Sequence, residues 1–407
     1  MKRWLLLIGL ALAQPACAAP RDHWVASWGA AQQIPEPHNL LPAADMQDAT
    51  LRQVVHLSIG GSKLRVRFSN AFGTQALLID AAHLARSADK ATPRTMPGSD
   101  RPLTFDGRSW VSIPPGADYL SDPVTLDAPA LSSLTVSIHL PQAPSVETGH
   151  PGSRATSYYI HGDHTADGDL PTAGKIDHWY QLSGVEVVAP PNAGTIVAFG
   201  DSITDGRGST TNGDNRWPDN LAARLQASAA TRNLAVVNMG IGGNHMLVDG
   251  LGPNVLARLD RDVFARPGAK AMLILEGIND LGGLSRSEGV HTPEMHKQLV
   301  ADLIAAFRQT ILRAHGQGVK VIGCTITPYV GSDYYHPDAA SEADRQAVNA
   351  WIRTSGMFDA VVDFDAAIRD PAHPERMIPA FDSGDHLHPS AEGYKVMADL
   401  IRLEGLR

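Results

Sequence analysis

Ser202, Asp385 and His388 are residue types that can share an acyl-transfer reaction. Ser202 stands in Gly200-Asp201-Ser202-Ile203, and the other two in Asp385-His386-Leu387-His388-Pro389. A serine hydroxyl becomes a useful nucleophile when an adjacent imidazole takes its proton, and the imidazole works best when a carboxylate fixes its tautomer. An Asp three residues before a His can fold back in one turn, bind one ring nitrogen and leave the other facing the serine. His386, directly after Asp385, is badly spaced for that contact and reads as a structural or rim residue. A metal pair at His386 and His388 is disfavoured because no third ligand stands close by in sequence.

Two further segments fit the same chemistry. Asn238-Met239-Gly240-Ile241-Gly242-Gly243-Asn244 is rich in glycine, so backbone N–H groups can point into a site without side-chain obstruction. Glu276-Gly277-Ile278-Asn279-Asp280 offers the Asn279 side-chain N–H. Both donor types can hold a developing oxyanion. Each segment also has an ordinary reading: a helix-capping serine, a flexible glycine turn, a turn-forming asparagine. Their conjunction, in order within one domain-length stretch, favours the chemical reading.

The elements that must position them are strands and helices in alternation. After Pro190-Pro191-Asn192-Ala193-Gly194, near-continuous apolar runs cover Thr195–Phe199, Ala235–Asn238, Ala271–Leu275, Lys320–Ile326 and Ala360–Phe364. Such runs fit strands buried on both faces. Thr292-Pro293 predicts a helix that stops near Gly316, Ser341 with Asp344 predicts the cap of another, and Ser390 begins the last. The pattern predicts a doubly wound parallel sheet over residues 191–407, whose sites collect beyond the carboxyl ends of the strands. The candidate residues stand in those places.

Residues 20–190 read differently. Leu51–Ile59, Lys63–Asn70, Ala76–Ile79, Trp110–Ile113 and Leu134–Leu140 are short runs punctuated by Gly and Pro turns, and Leu64-Arg65-Val66-Arg67-Phe68 alternates apolar and charged residues. This predicts a β-sandwich or jelly roll. Among its aromatics, Trp24, Trp28, Trp110 and Trp179 could stack on sugars if exposed, Trp28 foremost, although core packing is the commoner role.

The 407 residues carry a formal charge of −9 and no long basic run, which disfavours nucleic-acid binding. Residues 1–19 have the form of a signal peptide: Lys2-Arg3, an apolar run from Trp4 to Ala13 too short to span a bilayer, then small residues through Ala19. Gln14-Pro15-Ala16 ahead of Cys17 departs from a lipoprotein box, so cleavage and export to a periplasm or beyond are expected, with no stable membrane insertion. Cleavage would leave Cys324 alone, in an apolar run that suits a buried thiol.

Together the motifs resemble the SGNH hydrolases, also called the GDSL esterase/lipase family. The resemblance covers residues 191–407 and implies a three-layer αβα sheet. It carries Ser202 as nucleophile, Asp385 and His388 as its partners, and the Ser202 N–H, the Gly243 N–H and the Asn279 side chain as oxyanion donors. Trp24-Val25-Ala26-Ser27-Trp28, Phe68-Ser69-Asn70-Ala71-Phe72-Gly73, Arg216-Trp217-Pro218-Asp219 and Glu276 resemble secreted members with an N-terminal β-sandwich, several of them similar to acetylesterases acting on plant polysaccharides. His245 stands where that subgroup suggests Arg. The α/β-hydrolase elbow, G-x-S-x-G, is not matched at Ser202.

The resemblance implies a secreted serine ester hydrolase that needs no metal or organic cofactor and acts on an acylated small molecule or polysaccharide. Activity should fall as His388 protonates in mildly acidic solution. Removal of acetyl or other short acyl groups is the leading expectation. A lipid or aryl esterase, a glycan-binding protein with little catalysis, and an acyltransferase are the alternatives.

Overall fold

The computed structural model describes residues 22–406, so the segment read as a signal peptide, with Cys17, lies outside the described residues. The first half is built from two large antiparallel sheets and two two-stranded ones, Leu77–Ile79 with Val111–Ile113 and Gly149–His150 with Trp179–Tyr180. One large sheet runs Trp24–Gly29, Leu182–Val188, Gly61–Ser69, with Asp118–Leu120 and Val124–Ala128 both against the outer edge of Gly61–Ser69. The other runs Gly174–Ile176, Ser157–His161, Ala49–His56, Ser133–Leu140, Ala81–Arg86, Arg101–Pro102. The alternation at residues 64–68 has the expected result: Leu64, Val66 and Phe68 are buried in the core, while Arg65 and Arg67 both bind Glu186 on the neighbouring strand at 2.6 Å. The strands over 81–86, 124–128 and 157–161 fall outside the sequence expectation, because each is short and interrupted by polar residues.

The second half is a five-stranded parallel sheet. Its strands are β1 (Gly194–Gly200), β2 (Leu234–Gly240), β3 (Ala269–Leu275), β4 (Lys320–Cys324) and β5 (Ala360–Val362), in the order β2-β1-β3-β4-β5. Every residue of β1 is buried, as a central strand covered on both faces should be. Helix Trp217–Gln226 packs with Ala391–Leu400, and helix Pro293–Gly316 packs with Val255–Leu259 and Ala339–Thr354. The edge of β2 meets the sandwich: Val236 N–H donates to Ser58 Oγ at 3.0 Å, and Ser58 Oγ–H to Ser27 O at 2.6 Å. An edge strand is thereby satisfied by the other half of the chain. Cys324 is buried in β4, and burial pushes its thiol well above the ordinary range.

Thr292 and Ser390 cap their helices through their side chains, as expected. Ser341 does not. Helix Ala339–Thr354 starts two residues earlier, and Asp338 is its cap, accepting from both Ser341 N–H and Ser341 Oγ–H at 2.9 Å. An ionised carboxylate is the stronger acceptor at a helix start, so it takes the cap from the hydroxyl.

Candidate active site

In the parallel sheet Gly200 pairs with Gly240 on one side and Leu275 on the other, so β1, β2 and β3 end at the same level. The three loops that leave them carry Ser202, Gly243 and Asn279. Ser202 opens a single helical turn, Ser202–Asp205, which Asp201 caps by accepting from Ile203 N–H at 2.8 Å.

From 186 residues away, His388 Nε2 reaches Ser202 Oγ at 2.8 Å. His388 Nδ1 lies 2.7 Å from Asp385 Oδ2. A carboxylate only accepts, so Nδ1 carries the hydrogen and Nε2 presents its lone pair to the serine hydroxyl. Asp385 Oδ1 also accepts from the N–H groups of His388 and Leu387, at 2.9 and 3.1 Å. Burial alone would raise the Asp385 carboxyl, but the bond and charge of His388 and the two N–H groups outweigh it and hold it well below the usual carboxylate range.

His386 is turned to another acid. Its Nδ1 binds Asp382 at 2.6 Å, with its backbone in the left-handed region at φ 58°. The structure brings Ser202, His388 and Asp385 together and leaves His386 out.

Gly243 sits at φ +63°, a conformation that favours glycine, and its N–H donates to no acceptor among the described residues. Ser202 N–H, at the first position of its helix, has no intrahelical acceptor. The Asn279 amide is pinned on both sides. Its Nδ2 lies 2.6 Å from Asn244 O, and its Oδ1 lies 2.6 Å from Tyr335 Oη. A carbonyl can only accept, so the amide cannot be flipped, and Tyr335 must be the donor. One Nδ2 hydrogen is thus used on Asn244, and the second is free for an oxyanion.

Tyr335 and Asn244 are functional candidates that sequence reasoning missed. Tyr335→Phe is expected to lower kcat roughly tenfold, the equivalent of one positioning hydrogen bond, with KM little changed. The check is a double-mutant cycle. In an Asn279→Ala background the same change should cost nothing further, and a full tenfold cost there would place the role of Tyr335 elsewhere.

Behind the site lies a group of buried charges. Burial, reinforced by mutual repulsion, pushes Asp201 and Glu276 above the carboxylate range, and burial also raises Asp280. Asp280 accepts from the N–H groups of Met246 and Leu247 at 2.9 and 3.0 Å, which holds the loop beyond Gly243. A carboxyl whose folded value is raised holds its proton more tightly when folded. Its neutral form costs no stability at low pH, and stability is lost as pH climbs from the unfolded value near ~4 through the raised folded one. Asp201→Asn keeps an oxygen for the Ile203 cap and removes that titration. Its denaturation midpoint should therefore vary less between about pH 5 and 8 than the parent's. Parallel midpoint curves for the two proteins would contradict this.

Other singled-out residues take structural places. Arg216 binds Asp219 at 2.7 Å and opens helix Trp217–Gln226 as its entry ion pair. Trp28 and Trp179 are buried and stand edge to face at 4.8 Å, which removes both as exposed sugar platforms. Trp110 is exposed, with Arg108 over its ring at 5.4 Å. His245 is partly buried, and its Nδ1 has no partner among the described residues.

Residues 198–396 match the GDSL-like lipase/acylhydrolase family. No curated protein matches the chain. Solved structures similar to it include a GDSL-like lipase from Bacteroides thetaiotaomicron, at 19% identity and a TM-score of 0.37, covering 52% of this chain and 87% of that one. An acetylxylan esterase from Geobacillus stearothermophilus is similar at 22% identity and 0.37, covering 51% and 91%. An aryl esterase from M. smegmatis is similar at 17% and 0.39, covering 53% and 99%. No helix among the described residues is long and apolar enough to cross a membrane. The family match and the parallel sheet that carries it agree: residues 198–396 form a GDSL-like lipase/acylhydrolase domain.

Proposed function

We propose that this protein is an exported carbohydrate esterase that removes acetyl or other short acyl groups through an acyl-enzyme on Ser202. The observation that carries the reading is the continuous hydrogen-bond chain from Ser202 Oγ through His388 to Asp385, at 2.8 and 2.7 Å. His388 takes the Ser202 proton as the oxygen attacks the ester carbonyl. Asp385, ionised well below neutrality, stabilises the imidazolium that forms. The Ser202 N–H, the Gly243 N–H and the free Asn279 hydrogen receive the oxyanion, each contributing about 2.7–4 kcal/mol by analogy with comparable donors. His388 then protonates the leaving alcohol, and water repeats the sequence in reverse to free the acid. The form of residues 1–19 supports export.

A second reading is favoured by one feature. Leu251 is half exposed and lies against Gly243, and Val248 on the same loop is more exposed still. This apolar rim beside an oxyanion donor suits a larger acyl or aryl group. Acid release from acetylated xylan, acetylated pectin and a series of aryl esters of rising chain length separates the readings. Acetate release with falling rates beyond four carbons supports the first. A strong preference for long chains supports the second, and glycan binding without turnover of any ester would end both.

A further inference from the structure

The turn that carries Ser202 is held from the β half of the chain. His150 Nε2 lies 2.8 Å from Asp205 Oδ1, and His150 Nδ1 lies 2.8 Å from Ala31 O. Both side chains are buried. We propose that His150 is a positioning residue for the nucleophile, so that the β half is part of the active centre rather than a separable glycan-binding module. This rests on Ser202 being the nucleophile.

Asp205 closes the one-turn helix that Ser202 opens. Its N–H donates to Asp201 O at 2.8 Å, and the N–H groups of Gly206 and Arg207 converge on Ser202 O at 2.8 and 2.9 Å. Whatever fixes Asp205 therefore fixes the Ser202 backbone, and with it one oxyanion donor. The contact is built closely. A Cβ on Gly152, two residues after His150, would come within 1.8 Å of Asp205 Oδ2. The imidazole cannot turn away, because it stacks on Trp179 at 5.7 Å, and Trp179 is itself held by its Nε1–H on Val54 O at 2.9 Å. The same β segment also secures the loop beyond the turn. Asn212 N–H donates to Arg154 O, and Thr156 N–H to Asn212 Oδ1, both at 2.8 Å.

The hydrogen count sharpens the test. Ala31 O can only accept, so Nδ1 carries a hydrogen. The Nε2 contact to Asp205 then requires one more proton shared within the pair, because neutral imidazole and a carboxylate would set two acceptors face to face. Asp205→Asn supplies the missing hydrogen from its own amide. That variant should keep the link without the extra proton, whereas Asp205→Ala and His150→Ala should break it.

The test is active-site labelling by a fluorophosphonate, reading amplitude and rate separately, alongside kcat and KM. In His150→Ala and Asp205→Ala the labelling rate per titrated site and kcat should fall together by about 10–100-fold, with KM within about threefold. The double variant should be no slower than either single, and Asp205→Asn should stay within about threefold of the parent. A merely structural bridge would lower the amplitude and leave the rate per site unchanged, which would overturn the proposal. If His150→Ala does not fold, His150→Gln fills similar space and reaches one acceptor at most; a parental labelling rate in it would equally overturn the idea. Mapping the label on the parental protein keeps the two claims apart: a label absent from Ser202 refutes the nucleophile assignment and the proposal with it, whereas a label on Ser202 with parental rates per site in both alanine variants refutes the proposal alone.

Discussion

Ser202→Ala is expected to lower kcat/KM by about 10⁴-fold or more while the denaturation midpoint stays close to the parent's. The removed oxygen makes one side-chain contact, to His388. The Ser202 N–H that faces the oxyanion survives, as does the cap on Asp201, so the loss falls on chemistry rather than on folding. His388→Ala should cost a similar factor, and the double variant should be no worse than either single, because a nucleophile and its base act as one unit. Asp385→Asn tests the tautomer. An amide nitrogen in place of Oδ2 would donate to Nδ1, push the ring hydrogen to Nε2 and set it against the serine hydroxyl. Thermal melts and single-turnover kinetics on each variant are the check, and near-parental turnover by Ser202→Ala would remove the proposed mechanism.

The same geometry sets the pH profile. Because Asp385 stays ionised far into acid, protonation of its carboxylate should not set the acidic limb of kcat/KM. The stabilising contribution of Asp385 has the opposite sign to that of Asp201. Its folded value is depressed, so it is present above the unfolded value near ~4 and is lost as pH falls further.

The geometry of the candidate site is legible where it depends on local order. Asp385 and His388 are three residues apart, and Ser202, Gly243 and Asn279 each follow an apolar run, so strand ends alone assign them to one sheet edge. What was illegible depends on distant chain segments. Tyr335 meets Asn279 across 56 residues, and His150 meets Asp205 across 55, with no periodicity or motif joining either pair. Trp28 failed as an exposed candidate because alternation along Trp24–Gly29 does not reveal that one face is closed by Trp179 and the other by the parallel sheet. Arg258 left a faint signal, a lone cation in the mostly apolar stretch Val255-Leu256-Ala257-Arg258-Leu259. Only the folded chain shows what it binds.

Arg258→Met is expected to destabilise the protein by about 3–5 kcal/mol. Arg258 is fully buried, and its guanidinium joins the ends of two strands. It donates to Gly200 O at the end of β1 at 2.9 Å, to Met239 O in β2 at 2.7 Å, and to Asn244 Oδ1 at 2.8 Å. Its carbon lies 3.9 Å over the Phe199 ring. Asp262 is the nearer acid at 3.1 Å, with Glu276 at 3.5 Å, where burial and the neighbouring Asp201 push the carboxyl well above the carboxylate range. Methionine fills the stem but removes the donor to Met239 O, the Asn244 amide oxygen and Asp262 Oδ2, although Gly200 O keeps Ile241 N–H at 3.0 Å and Asp262 Oδ1 keeps Arg261; in a dry interior each unmade bond is costly. Lysine restores the charge but not the planar fork that spans four acceptors, so Arg258→Lys should recover only part of the loss. The damage should also reach turnover. Asn244 holds Asn279 through its carbonyl and Arg258 through its side chain, so loosening one end frees the other. Denaturant midpoints and the labelling rate of Ser202 should therefore decline together in Arg258→Met, whereas a variant with lost stability and a parental labelling rate would show that the clasp serves the fold alone.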